Sequence, residues 1–523
     1  MTSQSRKIVI IGSGIGGLCA AVYARKCGYE VELLEQHNSP GGLATSWRRG
    51  DYTFETCLHW LLGSNPDGTL HAQWQEVCDI DSLSFVYAEE YLRLEDEHGG
   101  CLSIYTDVDR LERELLNAAP EDETEIRHLA AAIRQLGDLP MPGLDEGWPQ
   151  KALDLVRIMP DLPLLWRLSH VSVEEYGQRF NHPLLRRFFG AGAMGRLSVL
   201  ALIISLGWMS TGNAGYAIGG AQALIRLIVE KLTALGGQVR YGAKVEKILV
   251  ENDVAVGLQL AGGEIVKADW VLSAADGHTT IYEMLGGKYR DKVVDAAYDN
   301  FETFPSYLQV SLGVARDLSD QPGYVTRVLD EPLEIDPQTA LSDVSFRLFH
   351  FDPTFAPKGK TAVTCFLPTH NFGYWANLCE RDPHTYQAEK HRVAEAVIAI
   401  LERRMPGIKA DIEVTDISTP ASVMRYTGNW KGSMEGWLMT PDTGFKSLPL
   451  TLPGLRQFLR AGQWVQAGGG LPTGLMTARA AIQTMSSGSR IVFSMKSWWE
   501  RACQRFALQA TALAPYRSRR VGP

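Results

Sequence analysis

Lys7-Ile-Val-Ile-Ile-Gly-Ser-Gly-Ile-Gly-Gly17 is the stretch that decides the fold. Its β-branched run reads as a short buried strand, its glycines as a turn, and the small residues beyond as a helix. Gly12 makes the tight turn, Gly14 lets the backbone approach a pyrophosphate, and Gly17 lets helix and strand pack closely. The amide N–H groups at the helix start then hold negative charge. Glu35 ends the next strand about twenty residues on, where a carboxylate accepts from ribose hydroxyls. Gly41-Gly42 follows at once.

A second glycine pattern serves as an internal control. Gly190-Ala-Gly-Ala-Met-Gly195 has the same spacing but follows Arg186-Arg187-Phe188-Phe189, which is no β-branched strand. No Asp or Glu occurs from Arg196 through Val229, so a ribose partner is missing. The reading there is a packed or flexible turn, and the chain carries no second dinucleotide unit for a nicotinamide.

The 523 residues suffice for a large core and two or more lobes. A net charge of −9 argues against nucleic acid as the main partner. Eight cysteines are scattered without a C-x-x-C pair or ligand-like Cys/His spacing, which predicts buried thiols, a reducing compartment and no metal site. Only six residues precede the first strand, leaving no room for a cleaved signal, and the apolar stretch 197–209 is too short to span a bilayer. The expected location is cytoplasmic and peripheral to the membrane.

The periodicity predicts a first helix over 14–27 and a second strand over 29–35. The nucleotide-binding pattern then pauses, returns near Gly219, and returns again at 457–485. A helix over 222–235 is followed by strands at 238–241, 245–251, 255–260 and 265–274. The expected organisation is α/β: a Rossmann-like nucleotide-binding domain from segments 1–65, 206–290 and 441–487. Between them lie a cap insertion (66–205) and an α+β substrate domain (291–440), and a basic tail (488–523) follows.

A second signal stands near the end: Gly462-Gln463, the Gly468–Gly470 loop, then Leu471, Pro472 and Thr473 opening a small-residue helix. A glycine loop ahead of a helix start suits a polar ring edge or a phosphate. With the N-terminal fingerprint and the central Gly219-Gly220 and Ala274-Ala275-Asp276, it makes the chain resemble the phytoene desaturase family, which includes carotenoid isomerases and retinol saturases. The resemblance covers nearly the whole length and is strongest in 7–63, 215–285 and 457–486.

It implies FAD as cofactor, with the ADP part on the N-terminal fingerprint and the flavin beside the C-terminal glycines. The cofactor candidates are Gly12, Ser13, Gly14, Ile15, Gly16, Gly17, Glu35, Gln36, Gly42, Leu43, Val245, Ala275, Gly462, Gln463, Gly470, Leu471 and Thr473. Phe54-Glu55-Thr56-Cys57 stands where an Asp-x-Gly is usual, and Leu58-His59-Trp60-Leu61-Leu62-Gly63 follows. That departure is closer to the isomerase and saturase branch. The resemblance therefore implies an oxidoreductase or isomerase acting on a hydrophobic polyene or isoprenoid lipid.

A site for such a substrate needs apolar walls and few acid–base groups. Trp60, Trp148, Trp166, Phe188, Phe189, Trp208, Tyr374, Trp375, Tyr426 and Trp430 are candidate tunnel residues, or ordinary core. His59 is the candidate catalytic side chain, as a proton donor to carbon or as a guide for a polar end group, against a plain core role. Arg425-Tyr426 is a candidate anchor for a polar terminus, or a surface feature. Val492, Met495, Trp499, Cys503, Phe506, Ala510 and Leu513 fall at helical spacing among seven basic residues, so 490–520 reads as a helix on an anionic membrane or one docked on the protein itself. Two further readings stay open: an amine-oxidase-like flavoenzyme, and a non-catalytic prenyl-lipid escort of the same architecture.

Overall fold

The computed structural model of the protein describes residues 6–137, 139, 156, 158–190 and 194–487. A parallel five-stranded sheet at the centre collects strands from three distant stretches of chain. In spatial order they are Gln238–Arg240, Glu30–Leu34, Lys7–Ile11, Trp270–Ser273 and Phe458–Arg460. Ile8, Val9 and Ile10 are fully buried, as a parallel sheet covered on both faces requires. The helix Ile15–Lys26 covers one face and packs on the helices Gly470–Ser487 and Gly220–Ala234. The α/β nucleotide-binding architecture expected from the three motif-bearing segments is the one present.

The stretch read as one strand over 265–274 is two. Ile265–Lys267 pairs antiparallel with Val254–Leu260, whereas Trp270–Ser273 joins the central sheet. The chain changes partners at its middle: Ala268 N donates to Val256 O, and Asp269 N already donates to Lys7 O. The Asp269 carboxylate accepts from Lys7 N at 2.7 Å, which fixes the switch.

A seven-stranded sheet forms the second layer, in the order Ile412–Ser418, Ser306–Val314, Thr361–Thr369, Thr339–Leu348, Tyr324–Asp336, Glu90–Glu95 and Cys101–Tyr105. Its last two strands come from the first insertion and the rest from the second, so the two insertions share one sheet. One face packs under the helices Phe372–Arg381 and Pro383–Arg404 through Val310, Phe346, Trp375 and Val397. The apolar stretch at 197–209 is the helix Val199–Ser210, buried against Glu123–Gly137. Among the described residues no helix is long and apolar enough to cross a membrane. Gly190 closes the helix Pro183–Gly190 rather than a strand. The rest of its turn at 191–193, Trp148 and the basic tail at 490–520 lie outside the described residues.

Close packing sets the geometry of the first turn. Gly12 has φ +89°, in the left-handed region, and a Cβ on Gly17 would run into the Gly12 carbonyl oxygen. Gly17→Ala is therefore expected to destabilise the protein by about 1–3 kcal/mol, the usual range for overpacking. A thermal melt indistinguishable from the parent would contradict this packing.

Candidate functional site

One cavity of about 1480 Å³ opens at the C-terminal ends of the central strands and extends to the free face of the seven-stranded sheet. Ligands in open α/β sheets bind at that strand edge. The volume exceeds the roughly 300–1,000 Å³ of an ordinary small-molecule site, so it has room for a cofactor and a second molecule.

The cofactor end is built from backbone. Gly14, Ile15 and Gly16 line the cavity at the start of Ile15–Lys26, whose N-terminus has no side-chain cap and no acidic residue in its first turn. Those first amides have no partner within the helix, so they face the cavity as a positive pole. Glu35, only 7% exposed, is held beside them. Its Oε2 accepts from Ser13 N at 2.8 Å and Ser13 Oγ at 2.7 Å, and its Oε1 from His37 N at 2.9 Å. Oε1, with one donor, still has acceptor capacity for a ligand hydroxyl.

The second wall arrives from the far end of the chain. Gly462, Gln463 and Gly468 through Thr473 line the same cavity, and the helix Gly470–Ser487 also begins without an acid in its first turn. A Cβ on Gly16 would sit 3.1 Å from Gly462 Cα, and one on Gly474 would sit 2.6 Å from Ile15 Cγ2. Two helix starts thus converge on one space. Such a donor set, with a carboxylate after the second strand, fits an anionic dinucleotide.

Of the sequence-predicted cofactor residues, all but Ser13 and Gly17 line this cavity, Val245 and Ala275 included. Ser13 is buried behind it as a ligand of Glu35, and Gly17 packs against the turn. Tyr426 contacts His37 with ring centroids 5.2 Å apart, so Arg425-Tyr426 stands at the Glu35 end and not in the apolar part.

Apolar side chains form the remainder. Trp60, Tyr91, Phe188 and Tyr324 interlock edge to face with centroids 5.9 to 6.5 Å apart, and Leu197, Leu202, Trp208, Met439 and Phe445 continue the wall. Trp166 does not line the cavity and is about half exposed; Trp375 is core on the opposite face of the sheet; Trp430 packs in a cluster with Tyr298, Trp437 and Trp464.

His59 lies in the cavity wall, its ring against Trp60 and Tyr324. Burial, and then the Arg347 guanidinium, lower its pKa to about 3. The imidazole is therefore neutral near pH 7 and keeps one ring N–H. Arg347 donates to the carbonyls of Leu58 at 2.6 Å and His59 at 2.9 Å, pinning the loop.

Motif reading missed Glu435, whose segment carries no recognisable pattern. It lines the cavity beside Gly469, whose added Cβ would meet the Glu435 backbone, and burial raises its carboxyl to about 7. Glu55, fixed by Ala221 N at 2.9 Å, is also raised to about 7 by burial. Among the described residues no group of His, Cys, Asp and Glu could hold a metal ion.

Glu435 keeps its proton in the folded chain at pH values where the unfolded chain has lost it. Its contribution to stability is present below about pH 4.5 and is lost as pH rises to about 7. His59 acts in the opposite sense, so a single replacement isolates the effect. Relative to the parent, cofactor-free Glu435→Gln should gain about 1–3 kcal/mol between pH 5 and pH 8 in denaturant titrations. A difference constant with pH would contradict the burial of this carboxyl.

The comparisons with known proteins agree with this geometry. A family model described as an NAD(P)-binding Rossmann-like domain matches residues 10–77. The neurosporene-forming phytoene desaturase of Rhodobacter capsulatus is 26% identical over 446 residues, covering 80% of this chain and 82% of that one. The chloroplastic prolycopene isomerase of Daucus carota is 23% identical over 452 residues, covering 82% and 72%. Among solved structures, a triple mutant from a redesign of cofactor binding in putrescine oxidase superposes with TM-score 0.60 at 16% identity, covering 92% of this chain and 99% of that one. An oxidoreductase from Methanosarcina mazei gives 0.57 at 17%, covering 91% and 100%. At those identities the structures speak for the fold alone. The sequence likeness, spread over about four-fifths of the chain, is to phytoene desaturases and prolycopene isomerases, and the solved structures share its α/β fold.

Proposed function

We propose that the protein is an FAD-dependent oxidoreductase or isomerase acting on a hydrophobic polyene. The reading rests on the continuity of one cavity, which joins two helix starts free of acidic residues in their first turns to an aromatic and aliphatic chamber. Relatives named for phytoene desaturation and prolycopene isomerisation support it.

When bound, FAD supplies hydride or electron transfer at its ring. The amides of Gly14, Ile15 and Gly16 hold the pyrophosphate charge, and Glu35, fixed by Ser13, accepts from ribose hydroxyls. Gln36, Gly42, Leu43, Val245 and Ala275 border the adenosine side, whereas Gly462, Gln463, Gly470, Leu471 and Thr473 border the ring. The aromatic walls exclude water and align an extended apolar chain. Neutral His59 is a positioning residue, and Glu435 is the group with a proton to exchange at a substrate carbon near neutral pH. In this reading the basic stretch at 490–520 brings the protein to the membrane where such a substrate resides.

Protein purified without added flavin should be yellow and release FAD on denaturation. Glu35→Ala should weaken FAD binding about tenfold or more, read by flavin titration. A colourless protein that takes up no added FAD would leave a lipid escort as the better account. Anaerobic incubation with phytoene and with prolycopene in liposomes then separates the chemistries. Conversion only by reduced protein and without mass change marks an isomerase; loss or gain of two hydrogens marks a desaturase or a saturase.

A further inference from the structure

A run of aromatic rings in contact leads from the cofactor end of the cavity to the protein surface. Trp464 follows Gly462 and Gln463 in the cavity wall. Its ring centroid lies 5.1 Å from that of Trp437, with the two planes at 90°. Trp437 is fully buried and stands 4.9 Å from Tyr298, which in turn stands 5.6 Å from Tyr282. Tyr282, in the helical turn Thr279–Met284, is partly exposed, and its hydroxyl donates to Asp295 Oδ1 at 2.6 Å. Close ring contacts by themselves are ordinary core packing. The polar groups beside this run give it a direction.

Indoles and phenols are among the side chains that give up a single electron most readily, and neighbouring charges decide where the resulting positive charge settles. At the inner end Arg460, only 2% exposed, donates Nη2 to the Trp464 carbonyl at 3.4 Å, so a positive Trp464 ring is disfavoured. Trp430, a side neighbour of Trp464 at 6.0 Å, has Lys431 Nζ 4.1 Å over its ring and is disfavoured in the same way. The Tyr298 hydroxyl is buried with no hydrogen-bond partner among the described residues. Its ring can bridge, but it has nowhere to shed a proton. Tyr282 differs from these three because its phenol is already bonded to a carboxylate. An oxidised phenol is strongly acidic. Passing its proton to Asp295 leaves a neutral ring, which Arg290, 5.6 Å above it, does not repel.

We propose that Tyr298, Trp437 and Trp464 conduct an electron from Tyr282 at the surface to a one-electron oxidant in the cofactor end of the cavity. The oxidant gains one electron, each ring is refilled by the next, and Tyr282 loses one electron while its phenol proton goes to Asp295. A small diffusible reductant, such as ascorbate or a thiol, then returns an electron to Tyr282, and the proton comes back from Asp295. A polyene in the same cavity is itself easily oxidised, and this route draws the electron from the protein surface in its place. The inference goes beyond the function proposed above and rests on its FAD reading.

The test uses the FAD-loaded full chain, without polyene or oxygen, under blue light, which turns bound flavin into a one-electron oxidant. Electron paramagnetic resonance of samples frozen under illumination should show a neutral tyrosyl radical in the parent, and ascorbate should remove it. Tyr282→Phe keeps the ring and should lose this signal. Asp295→Asn, which removes the proton acceptor, and Trp437→Phe, which alters the middle of the route, should each lower it severalfold. Retained FAD absorbance shows that a variant is folded, and Tyr282→Phe, a partly exposed position losing one hydroxyl, decides the matter if Trp437→Phe does not fold. A tyrosyl signal as strong in Tyr282→Phe as in the parent overturns the route and leaves the flavin reading standing. So does the absence of any tyrosyl signal in a parent that holds FAD. A chain that takes up no FAD overturns both.

Discussion

Backbone pressed against backbone is the contact on which the rest of this protein depends. Gly16 meets Gly462 and Gly17 meets the carbonyl of Gly12, so two helix starts from opposite ends of the chain face one space. A side chain at either glycine would separate them. The strand Phe458–Arg460 makes the approach possible by adding to the central sheet beside Trp270–Ser273, which itself lies beside Lys7–Ile11. Converging amides supply positive potential without a formal charge, and so without the desolvation that a buried lysine or arginine would incur.

The apolar chamber handles charge differently. Arg347 is part-buried, over the rings of Tyr216 and Phe349 at 5.2 and 5.0 Å. Burial lowers its pKa, and two backbone carbonyls accept from it. Burial, and then the Arg347 charge, keep His59 neutral, and its ring packs in the aromatic wall. The proton available near neutrality sits instead on Glu435, whose carboxyl burial alone raises.

Legibility in the sequence followed locality. The N-terminal turn, Glu35 and the Gly468–Gly470 loop were readable because each motif packs a strand, a turn and a helix start into a few residues. The helix Gly220–Ala234 and strands Val245–Glu251 and Val254–Leu260 were readable from periodicity. The break at Ala268-Asp269 was not, because both halves are apolar and only the change of partner sheet separates them. Nor could the sequence show that Glu90–Glu95 lies parallel to Tyr324–Asp336, since that pairing joins insertions more than two hundred residues apart. Glu435 escaped for the same reason: its burial comes from tertiary packing, and it sits in no local pattern.

The three-part central sheet has a consequence for biosynthesis. The chain must be made through residue 460 before its last strand can dock. At about 5–20 residues per second that is tens of seconds after the first strand leaves the ribosome. From the time it is made until then, Trp270–Ser273 presents an unpaired edge, the kind that recruits foreign strands. A growing chain of this design has good reason to be shielded by a chaperone, and a ligand gripped by both helix starts can be held only after the helix Gly470–Ser487 has begun to form.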